Sequence, residues 1–372
     1  MITSLQLENY RGFQEYTVPG LARANLLVGK NNCGKTALLE AVHLLASGGD
    51  AEVLFRFAMQ RGEAILVPDD RERYGREAYP VARHYFFGHD FVVGMYFRVS
   101  SGDGIGAVRI SVISLSDLDE SQAALVGEGT RLQPAAALRC ERSAGPTTTI
   151  SRDYPVTEEG ALIPGVLARS RRPFQRDRNG GLNVQFITPD SLEPTSMSDM
   201  WNKVLTMGRE ADVIGAMRIL APGLRNVVFL SGRYPYGGPG RAGVLADFEG
   251  TPHRNPLGSY GDGMRRLLAL TLSLIQSENG ILLVDEIDTG LHYSIMEEMW
   301  RLVVETARRA NVQVFATTHS SDCVRGLASL CRDRPDLRGE VSLQKIDPSI
   351  KEAVALNWEK IIIAVDQGIE VR

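Results

Sequence analysis

Residues 24–46 read ANLLVGKNNCGKTALLEAVHLLA, and this stretch decides how the rest of the chain is interpreted. A short apolar strand, residues 25–28, leads into the loop 29–36, and an amphipathic helix with apolar residues at helical spacing follows. The loop has the pattern G-x-x-x-x-G-K-[ST] between a strand and a helix, which is the setting that the pattern requires. Its glycines let backbone N–H groups turn inward around a di- or triphosphate, and the helix N-terminus adds partial positive charge. The stretch therefore predicts a nucleotide-binding loop.

Two side chains of this loop have predicted chemical roles. Lys35 places a compact positive charge beside the β- and γ-phosphates, where it also supports catalysis, and Thr36 offers a hydroxyl ligand to Mg²⁺. We expect ATP and Mg²⁺ as the cofactors. The other loop residues that we expect to surround the phosphates are Gly29, Asn31, Asn32, Cys33, Gly34 and Ala37.

A second phosphate-handling unit follows much later in the chain. Residues 280–292 read GILLVDEIDTGLH, which predicts a buried strand over 281–284 that ends in two carboxylates. Packing explains a carboxylate at the end of a buried strand poorly. Asp285 is placed to hold Mg²⁺ through water, and Glu286 is placed to polarise the attacking water as general base. We therefore predict a Walker B strand followed by a catalytic base.

A histidine ends the next predicted strand. Residues 312–322 read VQVFATTHSSD, and His319 falls at the carboxyl end of this strand, on the edge where α/β sheets bind ligands. A lone histidine at such a position is often structural. Since this one follows the Walker B strand and one predicted helix, we interpret it as a catalytic sensor of the γ-phosphate.

Residues 258–270 read GSYGDGMRRLLAL, with two glycines around an acidic residue directly before a predicted helix. Taken alone, the stretch is a helix start in which Asp262 acts as N-cap, which stabilises a helix by about 1 kcal/mol. Arg265 and Arg266 would then offset the charge of this aspartate. That interpretation leaves three residues unexplained: Ser259, Gly261 and Gly263.

The order of these motifs resembles the head of ABC-class ATPases, a layout that SMC, RecF and OLD-family proteins share. The two Walker motifs are far apart, and the histidine comes last. Within this class the chain resembles the OLD-like, AAA-domain ATPases of bacterial defence systems. The resemblance is carried by LENYRGF, NLLVGKNNCGKTALLEAV, GSYGDGMRRLLAL, ILLVDEIDTGLH and VQVFATTHSSDC.

The resemblance implies an α/β fold, that of a P-loop NTPase with an ABC-type head, in which helices flank a mixed sheet. It also implies that two heads pair around ATP. Ser259, Gly261 and Gly263 would take the place of the ABC signature and offer a hydroxyl and N–H groups to the γ-phosphate held by the partner subunit. Their surrounding sequence departs from the usual LSGGQ. Residues 288–292 would form the loop that bridges the two heads.

The resemblance also gives a role to Arg11 in NYRGF, which would contact the nucleotide phosphates from the neighbouring N-terminal strands. From the residues alone, an exposed turn arginine is the alternative. The glutamine that usually senses Mg²⁺ in ABC proteins has two candidates here, Gln60 and Gln175, and no context favours either.

We predict that residues 1–50 and 220–372 form the ATPase head and that residues 51–219 are an insertion of β and helical segments. Within the insertion, alternation over 91–115 around a Ser-Gly-Asp-Gly turn predicts a hairpin or meander. A further strand and two helical segments are predicted at 183–190, 198–207 and 210–222.

Composition limits the compartment and the partners. Hydrophobic residues make up 44% of the 372 and charged residues 23%, as in a soluble globular protein. No apolar run approaches the roughly 18 residues of a membrane span, and the N-terminus lacks the features of a signal peptide. The four cysteines show neither metal-ligand spacing nor a disulfide framework. We therefore expect a cytoplasmic protein that has no membrane partner.

The net charge of −4 argues against a surface that grips nucleic acid all round. The charge is uneven, however, because residues 169–178, RSRRPFQRDR, hold five arginines and one aspartate. Two interpretations of this basic segment stay open: a solvated loop, and a contact with nucleic acid or an acidic partner.

Three functions fit these observations. The first is an ATP-driven switch that forms a homodimer or higher homo-oligomer, hydrolyses ATP and regulates a separate effector, a nuclease or toxin, in anti-phage defence or DNA-damage sensing. OLD-family nucleases carry a further nuclease domain, for which the 53 residues after His319 are too few, so we expect the effector to be another protein. The alternatives are a RecF-like DNA-binding recombination or repair ATPase and a non-hydrolysing scaffold that uses ATP only for assembly.

Overall fold

The computed structural model describes residues 1–68, 76–102, 106–118, 132–143, 149–162, 182–188, 194–230 and 243–371. The helices in these stretches are α1 (Lys35–Ala46), α2 (Ala51–Gln60), α3 (Pro194–Met207), α4 (Glu210–Met217), α5 (Asp262–Gln276), α6 (Met296–Arg309), α7 (Ser321–Asp333) and α8 (Trp358–Asp366). The strands are β1 (Leu5–Tyr10), β2 (Phe13–Val18), β3 (Ala24–Val28), β4 (Ala64–Pro68), β5 (Arg76–Pro80), β6 (Tyr96–Ser101), β7 (Ala107–Ile113), β8 (Ala136–Ser143), β9 (Thr149–Val156), β10 (Val184–Ile187), β11 (Leu224–Leu230), β12 (Gly243–Phe248), β13 (Asn255–Pro256), β14 (Ile281–Val284), β15 (Gln313–Thr317), β16 (Val341–Lys345) and β17 (Val354–Leu356).

The central sheet has the strand order β10-β14-β15-β3-β16-β17. Neighbouring strands run parallel except for β16 and β17, which are antiparallel, so the sheet is mixed and the predicted α/β fold is confirmed. Strand β3, which precedes the phosphate loop, lies between β15 and β16. Because the carboxyl ends of parallel strands meet at one edge of a sheet, the residues after β3, β14 and β15 come together there.

Strands β3, β14 and β15 are buried along their whole length. Their unbroken apolar runs are typical of parallel strands that are covered on both faces. On one face, Leu26, Val284 and Val314 share a hydrophobic core with residues of helices α3 to α8. On the other face, Leu27 and Leu283 share a second core with α1 and a second sheet. Two layers of packing therefore fix the edge that carries the predicted site.

The second sheet is antiparallel throughout and has the order β2-β1-β6-β7-β8-β9. Helix α1 contacts β6 and β7 of this sheet as well as β14 and β15 of the central sheet. All of its residues except Thr36 are buried, as expected for a helix that is covered on all sides. The helix that follows the phosphate loop is thus held firmly between the two sheets.

Each of the two large sheets contains strands from both the predicted head and the predicted insertion. Strand β6 pairs with β1, with Val99 opposite Leu7, so strands from the predicted insertion complete a sheet that begins at the N-terminus. Strand β10 pairs with β14, with Val184 opposite Ile281, and helices α3 and α4 pack against α5. The head core therefore includes segments that we placed in the insertion. The sequence did not predict this, because the local periodicity of a strand does not show which strand it pairs with.

Several local predictions are confirmed. Strands β6 and β7 form the predicted hairpin, β10 lies within 183–190, and α3 and α4 overlap the two predicted helical segments. The N-cap prediction is wrong. Asp262 is the first residue of α5 and forms an ion pair with Arg265, while Gly261 occupies the N-cap position.

Two smaller antiparallel sheets complete the described part of the chain, β4 with β5 and β11 with β12 and β13. Among the helices of the described stretches, none combines the length and the apolar character that crossing a bilayer demands.

Candidate nucleotide-binding site

The phosphate loop connects β3 to α1 and depends on two glycines. Gly29 has φ +151°, and a Cβ atom there would lie 2.6 Å from the carbonyl oxygen of Ile346 and 2.7 Å from Cys33 Sγ. Gly34 has φ +94°, and a Cβ atom there would lie 2.5 Å from the ring of Phe13. A side chain at either position would strain the backbone and fill occupied space. The loop is therefore shaped to keep its backbone close to other groups.

Lys35 is buried at the start of α1, and its Nζ atom points back into the loop. Nζ donates to the carbonyl oxygens of Gly29 and Lys30, both at 2.9 Å, and lies 3.4 Å from Nδ1 of His319. Burial lowers the pKa of Lys35, and this effect outweighs the opposing influence of Cys33 and of the Walker B carboxylates. The structure thus brings the predicted lysine and the predicted sensor histidine together.

The other predicted loop residues surround this lysine. Asn31 is exposed and lines the cavity beside His319, and Asn32 has a left-handed backbone with φ +60°. Cys33 is buried with its Sγ 3.8 Å from Lys35 Nζ, and Ala37 is buried in the first turn of α1.

The hydroxyl of Thr36 and the carboxylate of Asp285 lie side by side at the edge of the sheet. Thr36 Oγ1 is 3.1 Å from Oδ2 and 3.3 Å from Oδ1 of Asp285, and Oδ1 also accepts a 2.6 Å hydrogen bond from Thr317. Adjacent ligands of an octahedral Mg²⁺ are about 2.9 Å apart, since each Mg–O distance is about 2.0–2.1 Å. The spacing and the hard oxygen donors therefore fit Mg²⁺, which Thr36 and Asp285 would hold here.

Glu286 follows directly and has an unusual backbone. Its φ is +51°, a left-handed conformation that is rare outside glycine. Its N–H donates to Thr317 Oγ1 at 2.8 Å, its carbonyl accepts from Arg266 at 2.9 Å, and Thr289 donates to its Oε2 at 3.1 Å. Three contacts thus fix the direction of a carboxylate that comes one residue after Asp285.

A cavity of 480 Å³ opens beside the loop. Its lining residues include Gly29, Lys30, His319 and Lys345. Lys345 ends β16 and is one of only six lysines in the chain, of which three, with Lys30 and Lys35, lie at this loop or its cavity. The site is accordingly rich in cationic side chains that match a polyphosphate.

Arg11 is buried against two carboxylates. It is buried, so the exposed turn arginine is wrong, and its Nε is 2.8 Å from Glu40 while Nη1 is 2.8 Å from Glu63. The guanidinium also stacks over the ring of Tyr85 at 4.1 Å. A contact with phosphate would require this side chain to leave both carboxylates, and that contact stays a prediction.

The segment 258–263 lies beside the residues that follow the Walker B strand. A Cβ atom on Gly263 would find its neighbours in Gly290, Leu291 and Ile295, after the Walker B strand. Gly261 has φ +95° with open space around it, and Ser259 is exposed. Ser259 and Gly261 are therefore at the surface, and the half-buried Gly263 lies beside residues 288–292.

The loop after Walker B, residues 288–292, makes a side-chain hydrogen bond at each end. Asp288 accepts a hydrogen bond from Thr318, the residue before the sensor histidine. His292 lies 2.9 Å, through Nδ1, from the hydroxyl of Ser294 and precedes the exposed Tyr293. The basic segment 169–178 and Gln175 lie outside the described residues, and Gln60 is the last residue of α2.

Sequence reasoning missed three residues that shape the site. Thr317 joins Asp285 to the backbone of Glu286, Arg266 donates to the carbonyl of Glu286, and Phe13 lies against Gly34. A polar residue at the end of a buried strand was a usable signal for Thr317. Arg266 stands in a run of charged and apolar residues where nothing local distinguishes it from a surface arginine.

Two family profiles match the parts of the chain that hold the Walker motifs. The profile described as "AAA ATPase domain" matches residues 1–76, and the profile described as "AAA domain, putative AbiEii toxin, Type IV TA system" matches residues 249–322. An ATP/GTP phosphatase of Helicobacter pylori is 20% identical over 343 residues, which cover 90% of this chain and 89% of that protein. The DNA replication and repair protein RecF of Acinetobacter baylyi is 47% identical over 47 residues, 13% of each chain. A crystal structure of an SMC head bound to the C-winged helix domain of ScpA has a TM-score of 0.47 and 12% identity, over 96% of this chain and 99% of that one.

The fold and the site define the class of protein, a P-loop nucleotide-binding protein with both Walker motifs at one edge of a mixed sheet. Within that class the chain is similar to AAA-domain ATPases over residues 1–76 and 249–322. The predicted resemblance to AAA-domain ATPases and, over a short stretch, to RecF is confirmed, whereas the OLD-like assignment stays a prediction.

Proposed function

We propose that this chain is an ATP-binding and ATP-hydrolysing switch that uses Mg²⁺ and pairs head to head around the nucleotide. The observation that carries the proposal is the convergence of Lys35, Asp285, Glu286 and His319 at one sheet edge, although they come from three separate parts of the sequence. Packing alone gives no reason to bring two carboxylates, a buried lysine and a histidine together.

Each group has a task that its position suits. Lys35 and the N–H groups of the loop hold the phosphates, and Thr36 and Asp285 hold Mg²⁺, which neutralises the charge that develops on them. Glu286 accepts a proton from the attacking water. His319, close to Lys35, contacts an oxygen of the γ-phosphate, so the histidine distinguishes a triphosphate from a diphosphate.

Pairing follows from the segment that carries Ser259, Gly261 and Gly263. Ser259 and Gly261 are exposed, Gly263 lies beside 288–292, and Gly261 has open space where a side chain would be. A backbone kept bare at a surface suits close approach by another molecule. We infer that this molecule is the ATP of a second copy of the chain, and that higher homo-oligomers are built from such pairs.

The consequence of the switch would be control of a separate effector, a nuclease or toxin, in antiviral defence or DNA-damage sensing within the cytoplasm. The family description that names a toxin of a Type IV system supports this setting. Purification of the chain with its natural binding partners, with and without ATP, tests it. An effector that associates in one nucleotide state and leaves in the other is the expected result.

The hydrolysis itself is tested by comparing the natural chain with Lys35→Ala. We expect the natural chain to release phosphate from ATP only with Mg²⁺, and Lys35→Ala to lose both nucleotide binding and phosphate release. Turnover no greater than that of Lys35→Ala, with binding intact in the natural chain, would instead favour the non-hydrolysing scaffold.

A RecF-like role on DNA is the second candidate, and two observations favour it: the basic segment 169–178 and the local similarity to RecF. Contacts with phosphates release counterions, so this role predicts a steep loss of DNA affinity as salt rises. Changing the five arginines of the segment to glutamine should flatten that dependence. DNA affinity that is unaltered by these changes would leave the second candidate without its main support.

A further inference from the structure

Arg266 is a buried arginine whose acceptors are backbone carbonyls. Its side chain, in the first turns of α5, has no exposed surface. Nη2 donates to the carbonyl oxygen of Glu286 at 2.9 Å and lies 3.3 Å from that of Asp285, while Nη1 is 3.5 Å from the carbonyl oxygen of Thr188, which follows β10. One guanidinium therefore joins α5 to the ends of two strands.

Burying a guanidinium in this way is costly. A charged group that leaves water loses solvation that neutral carbonyls only partly replace. Burial accordingly lowers the pKa of Arg266 despite the nearby carboxylates of Asp288, Glu286 and Asp285. The following residues of α5, Leu267 and Leu268, show that an apolar side chain packs well in this helix. The arginine is thus better explained by what it contacts than by packing.

What it contacts is the strained backbone of the general base. Glu286 has a left-handed φ of +51°. A residue keeps such a strained conformation only where several surrounding contacts hold its backbone in place. Here the N–H is held by Thr317 and the carbonyl by Arg266. Without the guanidinium, one of the two peptide groups that set the direction of this carboxylate would lose its partner.

The same end of this helix carries the surface proposed for pairing. Ser259, Gly261 and Gly263 lie three to seven residues before Arg266, at the entrance of α5. A helix moves as a rigid unit, so a displacement of its entrance is carried to Arg266. The two sites that ATP-dependent pairing would use are therefore joined within one subunit through this side chain.

We propose that Arg266 is a positioning residue that fixes the backbone of Glu286 and couples the docking of a partner's ATP on α5 to the alignment of the general base in its own subunit. This inference rests on the proposed ATPase and pairing function. It explains how each subunit of a pair would hydrolyse its own ATP only while it holds the ATP of the other.

The test compares Arg266→Met with a matched control, Arg338→Met, in the full chain. Arg338 also donates to backbone carbonyls, those of Cys331 and Arg332, and stacks on Trp358. For Arg266→Met we expect kcat to fall about tenfold or more, as misalignment of a catalytic group does. KM and the affinity for a fluorescent ADP should stay within about twofold of the natural chain. Arg338→Met should lower Tm and leave kcat unchanged.

Two further measurements separate positioning from general damage. Arg266→Met should still pair in ATP and Mg²⁺ and separate more slowly than the natural chain. Added to Glu286→Gln, it should lower the residual rate no further, because the two changes act through one group. If Arg266→Met does not fold, Arg266→Lys is measured instead, and a reduced kcat with unchanged ADP affinity is expected.

Several results would overturn the inference. These are an unchanged kcat in the folded variant, an equal fold-loss in the natural and the Glu286→Gln backgrounds, or a loss of ADP affinity as large as the loss of kcat. A natural chain that shows no hydrolysis above Lys35→Ala is a different failure. That result removes the proposed function itself, and the inference falls with it.

Discussion

Thr317 shows how much of the site depends on a single hydroxyl. Its Oγ1 donates to Asp285 and accepts from the N–H of Glu286, so it aligns the proposed metal ligand with the proposed base. The residue is buried at the end of β15, where water does not replace either bond. Its two neighbours in the site therefore depend on it for their geometry.

Thr317→Val keeps the shape of this side chain and removes its hydroxyl. We expect the free energy of unfolding to fall by about 1–3 kcal/mol, since a buried N–H loses its acceptor, and kcat to fall about tenfold through misalignment. Denaturant unfolding and phosphate release measure the two effects. Thr306→Val, a buried threonine of α6, serves as control, and its kcat should not change. A natural kcat in folded Thr317→Val would contradict the role of the hydroxyl.

The lowered pKa of Lys35 predicts how nucleotide affinity changes with pH. Phosphates favour the charged lysine, so above the pKa of the free site binding must take up a proton and becomes weaker. Affinity should therefore begin to fall at a pH below the ordinary lysine value of 10.5. The sign for stability is opposite, because the unfolded chain binds more protons at this group and stability from it rises with pH.

Titration calorimetry of ADP binding between pH 7 and the alkaline limit of the fold, in buffers of different ionisation enthalpy, measures this proton uptake. Lys35→Arg, whose charge persists, should show no uptake. Equal proton uptake by Lys35→Arg would assign the effect to other groups. ADP affinity that is independent of pH up to 10.5 would contradict a lowered pKa of Lys35.

At the scale of elements, variants at the entrance of α5 separate nucleotide binding from the proposed pairing. Gly261 has φ +95° and no neighbouring atom that a Cβ would meet, so a side chain there costs backbone strain but causes no clash inside the subunit. Gly208, between α3 and α4, has the same features, φ +65° and open space. The two glycines therefore form a matched pair of positions.

Gly261→Val and Gly208→Val should each lower the free energy of unfolding by about 1–3 kcal/mol, because both changes force a left-handed backbone on a valine. Both variants should bind ADP normally. Only Gly261→Val should lose ATP-dependent pairing and turnover, which light scattering and phosphate release measure. Normal pairing of Gly261→Val, or loss of pairing in both variants, would show that α5 does not receive the partner's nucleotide.

The elements also show what the sequence could predict. Strands β3, β14 and β15 were predictable because continuous apolar runs end in phosphate-binding or carboxylate residues, and these fix both the parallel sheet and the main site. The pairing of β6 with β1 and of β10 with β14 was not, since it depends on partners far away in the chain. The exposed-turn interpretation of Arg11, the N-cap role of Asp262 and the pairing of Arg266 with Asp262 failed for a related reason. Tertiary contacts decide which partner a charged side chain finds.

At the scale of the whole molecule, the groups proposed for hydrolysis meet within one subunit, and the surface proposed for pairing is a separate segment, 258–263. The loop and the Walker B carboxylates meet at the edge of the central sheet, while 258–263 lies at the surface next to 288–292. An ATPase built in this way would complete its site only by pairing. Nucleotide state and oligomeric state would then change together, which is what a switch requires.

Sedimentation of Glu286→Gln tests ATP-dependent pairing most directly. The mass of the variant in solution is measured with ADP and with ATP, each with Mg²⁺. The variant keeps the loop and the metal ligands and removes the base, so ATP should stay bound and hold two subunits together. We expect a monomer with ADP and a stable dimer with ATP, and Gly261→Val added to Glu286→Gln should restore the monomer. A Glu286→Gln chain that binds ATP and Mg²⁺ to saturation and stays monomeric would contradict the account.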